Sequence, residues 1–270
     1  IIIILNKINM KKIKNLELSK NVRRNILNLS YQAKSSHIGS SLSIVDLLVV
    51  IYNEFIKPKS KKYLKDSKYK LILSKGHACL ALYSILYEMR VLNKKTLFSY
   101  GKDNTLLMQH VSHKVPGVLL STGSLGHGLP VGTGLALSSK LKNEKKKIIV
   151  IISDGELNEG TTWESLLFAA HHQLDNLVVI VDYNKLQSLT TVKKTLNVEP
   201  LSKKFQAFGC KTNVINGHNF KQIKKSLMSK NLKKPIVIIA NTVKGKGVSF
   251  MENKIAWHYK SPNLNQLEKA

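Results

Sequence analysis

An acidic segment that contains glycine, residues 153–160, directly follows the apolar run 148–152. A second apolar run, 177–181, is followed after a few positions by Asn184. Because the carboxyl ends of parallel strands meet at one edge of a sheet, we expect Asp154 and Asn184 to lie close together there. Carboxylate, amide and carbonyl oxygens are the ligands that Mg²⁺ prefers, and this ion commonly bridges a protein to phosphate oxygens.

This pattern predicts a metal and diphosphate site. The expected metal donors are Asp154, Asn184 and the backbone carbonyl of Leu186, while Gly155 would let the backbone approach a phosphate closely. The pairs Asp-Gly and Asn-Lys also occur in ordinary turns at the ends of strands, and that is the alternative for either pair alone.

Histidines are the second group of residues suited to chemistry. Five of them lie in or beside loops that contain glycine or serine, namely His37, His77, His110, His127 and His258. Imidazoles in such loops can donate hydrogen bonds to phosphates or sugar hydroxyls and can transfer protons near neutral pH. They lack the short spacing of a zinc site. In contrast, His171 and His172 fall late in a predicted helix, where a cation complements the helix dipole, so we predict a structural role for them.

The loop at residues 121–128 is too rich in glycine to be helical. It matches neither the Walker phosphate loop nor the dinucleotide fingerprint. Gly123 would allow close approach of the backbone to a flat ring, and Leu125 would supply an apolar contact. An ordinary turn is the alternative.

Strands and helices alternate along the chain. Strands are predicted at 71–73, 148–152, 177–181, 212–215 and 236–241, and helices at 16–34, 43–55, 79–90, 131–141, 161–172, 199–208 and 219–229. Ser43 is expected to cap the second helix, and Thr161 with Glu164 to form a capping box. Continuous apolar strands that alternate with helices predict an α/β fold, a parallel sheet with helices on both faces.

Length and composition favour one domain at 15–270, preceded by a flexible leader at 1–14, in which Met10 is a candidate start. Cys79 and Cys210 form neither a disulfide framework nor a metal-ligand spacing. No apolar stretch approaches the roughly 20 residues that span a bilayer. We therefore expect a cytoplasmic protein without a membrane anchor.

The formal net charge of +27 raises the question of nucleic-acid binding. The 43 basic residues are lysine except for Arg23, Arg24 and Arg90, and the lysines are scattered among Ile and Asn rather than interleaved with aromatic residues. All three of Lys, Ile and Asn have AT-rich codons, so a base bias suffices to explain the charge. Nucleic-acid binding is disfavoured.

From about Val22 to Asn265 the chain resembles the amino-terminal, cofactor-binding half of transketolase. The blocks that carry the resemblance follow the family order: KSSHIG at 34–39, LSKGH at 73–77, STGSLGHG at 121–128, SDGELNEG at 153–160, LDNL at 174–177, DYN at 182–184, VKGKGVSF at 243–250 and WH at 257–258.

The resemblance implies thiamine diphosphate bound through Mg²⁺, with Asp154, Asn184 and the Leu186 carbonyl as metal ligands. It implies three further groups of residues: His77, Gly155 and His258 at the diphosphate; Gly123 and Leu125 beside the aminopyrimidine; and His37, His110 and His258 around the thiazolium carbon and the donor sugar. Glu159 matches a family carboxylate at the interface between the two halves.

The family reaction, part of the pentose phosphate pathway, moves a two-carbon ketol unit from a ketose phosphate to an aldose phosphate. The resemblance implies that this chain needs a C-terminal transketolase subunit, the pyrimidine-binding half, because the glutamate that activates the cofactor lies there. A two-plus-two hetero-oligomer is expected. The alternatives are a subunit of another thiamine diphosphate enzyme, such as deoxyxylulose phosphate synthase or a two-oxoacid dehydrogenase component, and a non-catalytic basic relic that binds nucleic acid. The block that ends at His258 favours transketolase.

Three positions depart from the family pattern. Ser153 replaces the usual glycine before Asp-Gly, His127 replaces a common glutamine, and Gln109 replaces the glycine before the substrate histidine. These departures weaken the inference about the substrate side more than the inference about the metal and diphosphate.

Overall fold

A parallel five-stranded sheet forms the centre of the protein in a computed structural model that describes residues 14–58, 67–230 and 233–270. The strand order is β1-β2-β3-β5-β4, and every neighbouring pair is parallel. The strands are β1 Tyr69–Leu73, β2 Lys147–Ser153, β3 Leu177–Tyr183, β4 Lys211–Asn216 and β5 Ile236–Asn241. The first residue of each predicted strand lies within two positions of the observed one.

Helices cover the sheet on both sides. They are α1 Asn15–Ala33, α2 Ile38–Ser43, α3 Val45–Val50, α4 Cys79–Glu88, α5 Lys94–Leu97, α6 Gly128–Leu141, α7 Gly160–His171, α8 Val192–Thr195, α9 Leu201–Ala207, α10 Phe220–Leu227 and α11 Leu264–Lys269. A π-helical segment, Ile51–Ile56, continues from α3.

Alternate strand residues point to opposite faces and build two separate cores. In β2, Ile149 and Ile151 belong to the core that contains α1 to α5 and α10, whereas Ile148, Val150 and Ile152 belong to the core that contains α6 to α9. Because both faces are covered, the strands are apolar throughout rather than alternating in polarity. The predicted α/β fold, a parallel sheet with helices on both faces, is confirmed.

Two local predictions are wrong. Ser43 does not cap a helix, because the predicted helix 43–55 is divided into α2, α3 and the π-helical segment; instead its hydroxyl donates to the buried carboxylate of Asp182. The capping box is also absent, since α7 starts one position earlier than Thr161, and the Thr161 hydroxyl donates to the Gly126 carbonyl at 2.7 Å. In both cases a tertiary acceptor takes the hydroxyl that the local pattern assigned to a helix end.

The leader predicted for 1–14 lies outside the described residues except for Lys14, which immediately precedes α1. Within the described ranges, no helix has both the length and the apolar character needed to cross a membrane.

Candidate functional site

The carboxyl ends of β2 and β3 and the loops around them enclose a cavity of about 290 Å³. Ser153 at the end of β2 is in register with Asp182 in β3, so the residues that follow, Asp154 and Asn184, reach the same edge of the sheet. The cavity is lined by His37, Ser40, Lys75, His77, His110, Gly123, Leu125, Ser153, Asp154, Gly155, Asn184, Leu186, Gln187, Ser188, Lys244, His258 and Tyr259. Each predicted catalytic, cofactor and metal residue is in this set.

Asp154 is the residue whose environment most favours a cation. Its side chain is buried, and its Oδ2 atom has no hydrogen-bond partner among the described residues. Burial, and then the charge of Asp182, raise the pKa of the Asp154 carboxyl to about 7. A buried carboxylate oxygen without a partner is costly unless a cation occupies the position beside it.

The donors near Asp154 suit a hard cation. The side chain of Asn184 is oriented by two contacts: Nδ2 is 3.3 Å from Asp182 Oδ2, and Oδ1 accepts from the Leu186 N–H at 3.1 Å. Within the described ranges, no group of three or more His, Cys, Asp or Glu side chains is placed to hold a metal ion. A cation at Asp154 would therefore rely on amide and carbonyl oxygens, which are ligands that Mg²⁺ accepts.

Two buried lysines complete the polar wall, and sequence reasoning missed both. Lys75, which closely follows β1, forms an ion pair with Asp182 at 2.5 Å and donates to the Ser40 carbonyl at 3.2 Å. Asp182 is fully buried and also accepts from the hydroxyl of Thr242. Both charges of the pair are thus compensated inside the fold.

Lys244 points its ammonium into the cavity. The Nζ atom donates to the Gln187 carbonyl at 3.2 Å and lies 2.9 Å from Nδ1 of His258. Burial, followed by the charge of Lys75, lowers the pKa of Lys244 to about 8. An anion bound here would favour the charged form of this lysine.

Four imidazoles form one cluster in the wall of the cavity. The ring centroid of His37 lies 5.2 Å from that of His77, 5.8 Å from that of His110 and 4.9 Å from that of His258. Burial lowers the pKa of His37 to about 4 and that of His258 to about 3, and it also lowers the pKa values of His77 and His110. His37, His77 and His258 are therefore neutral at pH 7, so each of these rings carries one donor and one acceptor nitrogen.

Two glycines border the cavity where its loops pack together. A Cβ atom on Gly123 would lie 3.4 Å from the His110 ring, and one on Gly155 would lie 3.7 Å from the Leu125 side chain. Backbone at 123 and 155 therefore borders the cavity with little side-chain bulk, as a flat ring and a phosphate would need.

Of the other predicted residues, His127 and Gln109 do not line the cavity. His127 is exposed, with Nδ1 2.8 Å from the Leu125 carbonyl. Ser153 lines the cavity, and its hydroxyl lies 3.2 Å from the buried carboxylate of Glu156. Glu159 is half-buried outside the cavity, in contact with Gly126.

Comparison with known proteins places these features in a family. Residues 16–267 match the family described as transketolase, thiamine diphosphate binding domain. The chain is 40% identical over 255 residues to one of the subunits of apulose-4-phosphate transketolase from Actinobacillus succinogenes, with 93% of this chain and 92% of the relative covered. It is 36% identical over 225 residues to the SqwG subunit of 6-deoxy-6-sulfo-D-fructose transketolase from a Clostridium species, with 82% of each covered.

A solved structure gives the same result. Transketolase from Campylobacter jejuni superposes with a TM-score of 0.87 at 29% identity over 94% of this chain, which corresponds to 42% of that longer chain. The chain therefore spans less than half the length of this transketolase, and it matches the separate subunits along most of their length. The chain belongs to the transketolase family and corresponds to the thiamine diphosphate binding domain of that family.

Proposed function

We propose that this chain is the cofactor-binding subunit of a transketolase that transfers a two-carbon ketol group from a ketose phosphate to an aldose phosphate. The observation that carries the proposal is the cavity itself, where an unpartnered Asp154 oxygen faces the same space as Lys244 and four imidazoles. We also propose that residues 15–270 act as a single domain and that the enzyme works in the cytoplasm, in the pentose phosphate pathway.

Asp154, Asn184 and the Leu186 carbonyl would hold Mg²⁺. The unpartnered Oδ2 of Asp154 supports this assignment, and a bound cation would lower the raised pKa of that carboxyl. The ion pair with Lys75 keeps Asp182 charged behind the site, so that Asp182 orients the amide of Asn184 rather than competing for the metal.

The metal and Lys244 would together hold the diphosphate of the cofactor. His77, His258, Lys244 and the backbone of Gly155 border the space next to Asp154. Anion binding there would compensate the charge of the buried ammonium, and the neutral rings would add N–H donors. Gly123 and Leu125 would border the aminopyrimidine ring of the cofactor.

Bound thiamine diphosphate supplies the carbon nucleophile and the electron sink of ketol transfer. The protein's part is proton transfer and orientation around the sugar. We assign this part to His37, His110 and His258, which line the cavity. The lowered pKa of each favours the neutral ring, which has an unprotonated nitrogen for a sugar hydroxyl, and a proton taken up by so weak a base would be returned readily.

The reaction would need a second polypeptide. Two relatives are named as single subunits of an apulose-4-phosphate transketolase, and single-chain transketolase is more than twice as long as the matched region. The segment beside His110 and Gly123 exposes large apolar side chains, Leu106, Met108 and Leu119, as a surface for a partner would. We propose that the partner is the C-terminal, pyrimidine-binding transketolase subunit, in a two-plus-two assembly with Glu159 at the interface.

The test compares two variants of the chain assembled with that partner. Asp154→Ala should abolish Mg²⁺-dependent binding of thiamine diphosphate, measured by calorimetry, because the carboxylate that anchors the metal is lost. His127→Gln should leave binding within about twofold of the wild type, because this exposed ring lies outside the cavity and the change restores the residue common in the family. Equal losses of cofactor affinity in both variants would refute the assignment of the site. Ketol transfer by the chain without a partner would refute the proposal that activity needs a second subunit.

A further inference from the structure

Three side chains from separate elements, none of which lines the cavity, meet in a cluster that the proposed chemistry does not use. Asp46 in α3 accepts from both terminal nitrogens of Arg23 in α1, at 3.1 and 2.7 Å. His218, between β4 and α10, places Nδ1 2.7 Å from Asp46 Oδ2. The side chains are 14%, 6% and 13% exposed for Arg23, Asp46 and His218. We refer to them as the Arg23–Asp46–His218 cluster.

The cluster holds the segment 243–246 at both of its ends. The Val243 N–H donates to His218 Nε2 at 2.8 Å, and the Lys246 carbonyl accepts from Arg23 Nε at 3.0 Å. Lys244 lies between these two points and extends its side chain into the cavity. Neither contact is made by a residue of the cavity wall, so the cluster acts on Lys244 through its backbone.

The hydrogen bonds determine which nitrogen of His218 carries the proton. A backbone N–H can only donate, so Nε2 must be the unprotonated nitrogen, and Nδ1 then donates to Asp46. The Asp46 carboxylate, itself held by Arg23, thereby keeps the acceptor nitrogen directed at Val243. This is the arrangement by which a buried carboxylate orients an imidazole in metal sites, used here on a backbone amide.

We propose that the Arg23–Asp46–His218 cluster is a positioning device for Lys244. A lysine side chain loses considerable rotamer freedom when it is ordered, and fixing the backbone on both sides of Lys244 restricts where its ammonium can reach. The inference depends on the proposed function only in assigning that ammonium to a diphosphate. His218 is a positioning residue, since it touches Val243 and not the cavity.

Two variants of His218 separate this role from a general effect on folding. The amide of asparagine falls near the position of Nδ1, so His218→Asn keeps a donor for Asp46 and loses the acceptor for Val243. The longer His218→Gln can place a carbonyl oxygen near the position of Nε2. His172→Asn, at a half-buried position directly after α7, is the matched control.

The full chain is tested with magnesium pyrophosphate as the probe. In His218→Asn, the amides of Val243 and Lys244 should exchange with solvent faster and the affinity for the probe should fall by about tenfold, because a buried N–H has lost its acceptor. His218→Gln should recover both quantities, and His172→Asn should change neither. In the wild type, the nitrogen NMR signal of His218 Nε2 should be that of an unprotonated imidazole nitrogen.

The proposal would be overturned if His218→Asn had the same amide exchange and the same affinity for the probe as the wild type. Equal losses of affinity in the Asn and Gln variants would overturn it as well. Failure of the wild-type chain to bind magnesium pyrophosphate would count against the proposed function instead. In that case the exchange of Val243 and Lys244 alone decides the positioning role: faster exchange in His218→Asn with recovery in His218→Gln supports it, and any other pattern refutes it.

Discussion

Lys75 and Lys244 are both buried in the same cavity wall but differ in what their ammonium groups face. Lys75 is paired with the carboxylate of Asp182, whereas the Nζ atom of Lys244 contacts neutral groups, the Gln187 carbonyl and the His258 ring. The first lysine is therefore compensated within the fold. The second has no direct ion pair among the described residues, although the charges of Asp154 and Asp182 favour its protonated form from a distance. A bound anion would give it a close counter-charge.

Replacement of Lys244 tests this difference. Lys244→Met should weaken binding of thiamine diphosphate with Mg²⁺ by about tenfold or more, because a hydrogen bond to a charged group is lost. The free energy of unfolding of the unliganded chain should stay the same or rise, since desolvation is the largest effect on the buried ammonium and exceeds the distant attraction of Asp154 and Asp182. Calorimetry and urea unfolding measure the two effects.

The control is Lys246→Met in the same segment. The Lys246 side chain is 36% exposed and pairs with Glu252 at the surface, so affinity should change less than twofold. Equal losses of affinity in the two lysine variants would show that general charge, and not the position of Lys244, attracts the ligand.

At the residue scale, the sequence identified the groups whose type is unusual in their setting. Asp154 stands out because it follows an apolar run and precedes glycine, and His37, His77 and His127 stand out because each is next to glycine or serine. Lys75 and Lys244 could not be distinguished in the same way, because 43 basic residues make a single lysine uninformative. Asp182 was hidden for another reason: β3 extends to Tyr183, so a residue that was expected to follow the strand is inside it and buried.

At the scale of elements, helix α6 packs closely against the sheet because it has a glycine at the point of contact. A Cβ atom on Gly132 would lie 2.5 Å from Cγ2 of Val150 in β2, while one on Gly134 would have no neighbour within 4 Å. The two glycines are on the same helix, one against the core and one in solvent. They serve different purposes, because only the first sets the distance between helix and sheet.

Two substitutions in α6 should therefore change stability in opposite directions. Gly132→Ala should lower the free energy of unfolding by about 1–3 kcal/mol, because the added methyl overpacks the contact with Val150. Gly134→Ala should raise it by about 0.5–1 kcal/mol, because alanine is the better helix former. Urea unfolding measures both, and destabilisation by Gly134→Ala would contradict this account of the packing.

The order of elements was predictable because β2, β3 and β5 are continuous apolar runs that only a doubly covered sheet accommodates. The division of the predicted helix 43–55 was not predictable. Residues 44–52 are buried throughout, so the sequence carries no polar face to mark the break between α2 and α3. The break exists because Ser43 turns towards Asp182, a contact between residues far apart in the chain.

At the scale of the whole molecule, the histidine cluster makes stability depend on pH. The folded-state pKa values of His37 and His258, about 4 and about 3, lie below the ordinary value of 6.5, so the unfolded chain binds more protons between these limits. The free energy of unfolding should therefore fall as the pH decreases from 6.5 towards 4. Asp154, with a raised pKa, opposes this trend as a single group.

His258→Asn should reduce that dependence, because one of the groups that gains a proton on unfolding is removed. Urea unfolding at several values between pH 7 and pH 4.5 would show a shallower dependence of the free energy of unfolding on pH. The reduction should correspond to the uptake of less than one proton, since the ring is partly exposed. His171→Asn, on an exposed ring, should leave the slope unchanged. An unchanged slope in His258→Asn would mean that this imidazole is charged in the folded protein.

The cavity contains neutral imidazole rings, whereas the protein as a whole is rich in lysine. These two features act at different stages of ligand binding, the approach of the ligand and its retention. The formal charge of +27 acts over a distance and would draw the proposed sugar phosphates and diphosphate towards the protein, an attraction that dissolved salt screens within about 8 Å at physiological ionic strength. Hydrogen bonds from His37, His77 and His258 act only on contact and are screened far less. For the ligands proposed here, ionic strength thus governs how quickly they arrive, while the imidazoles govern how long they stay.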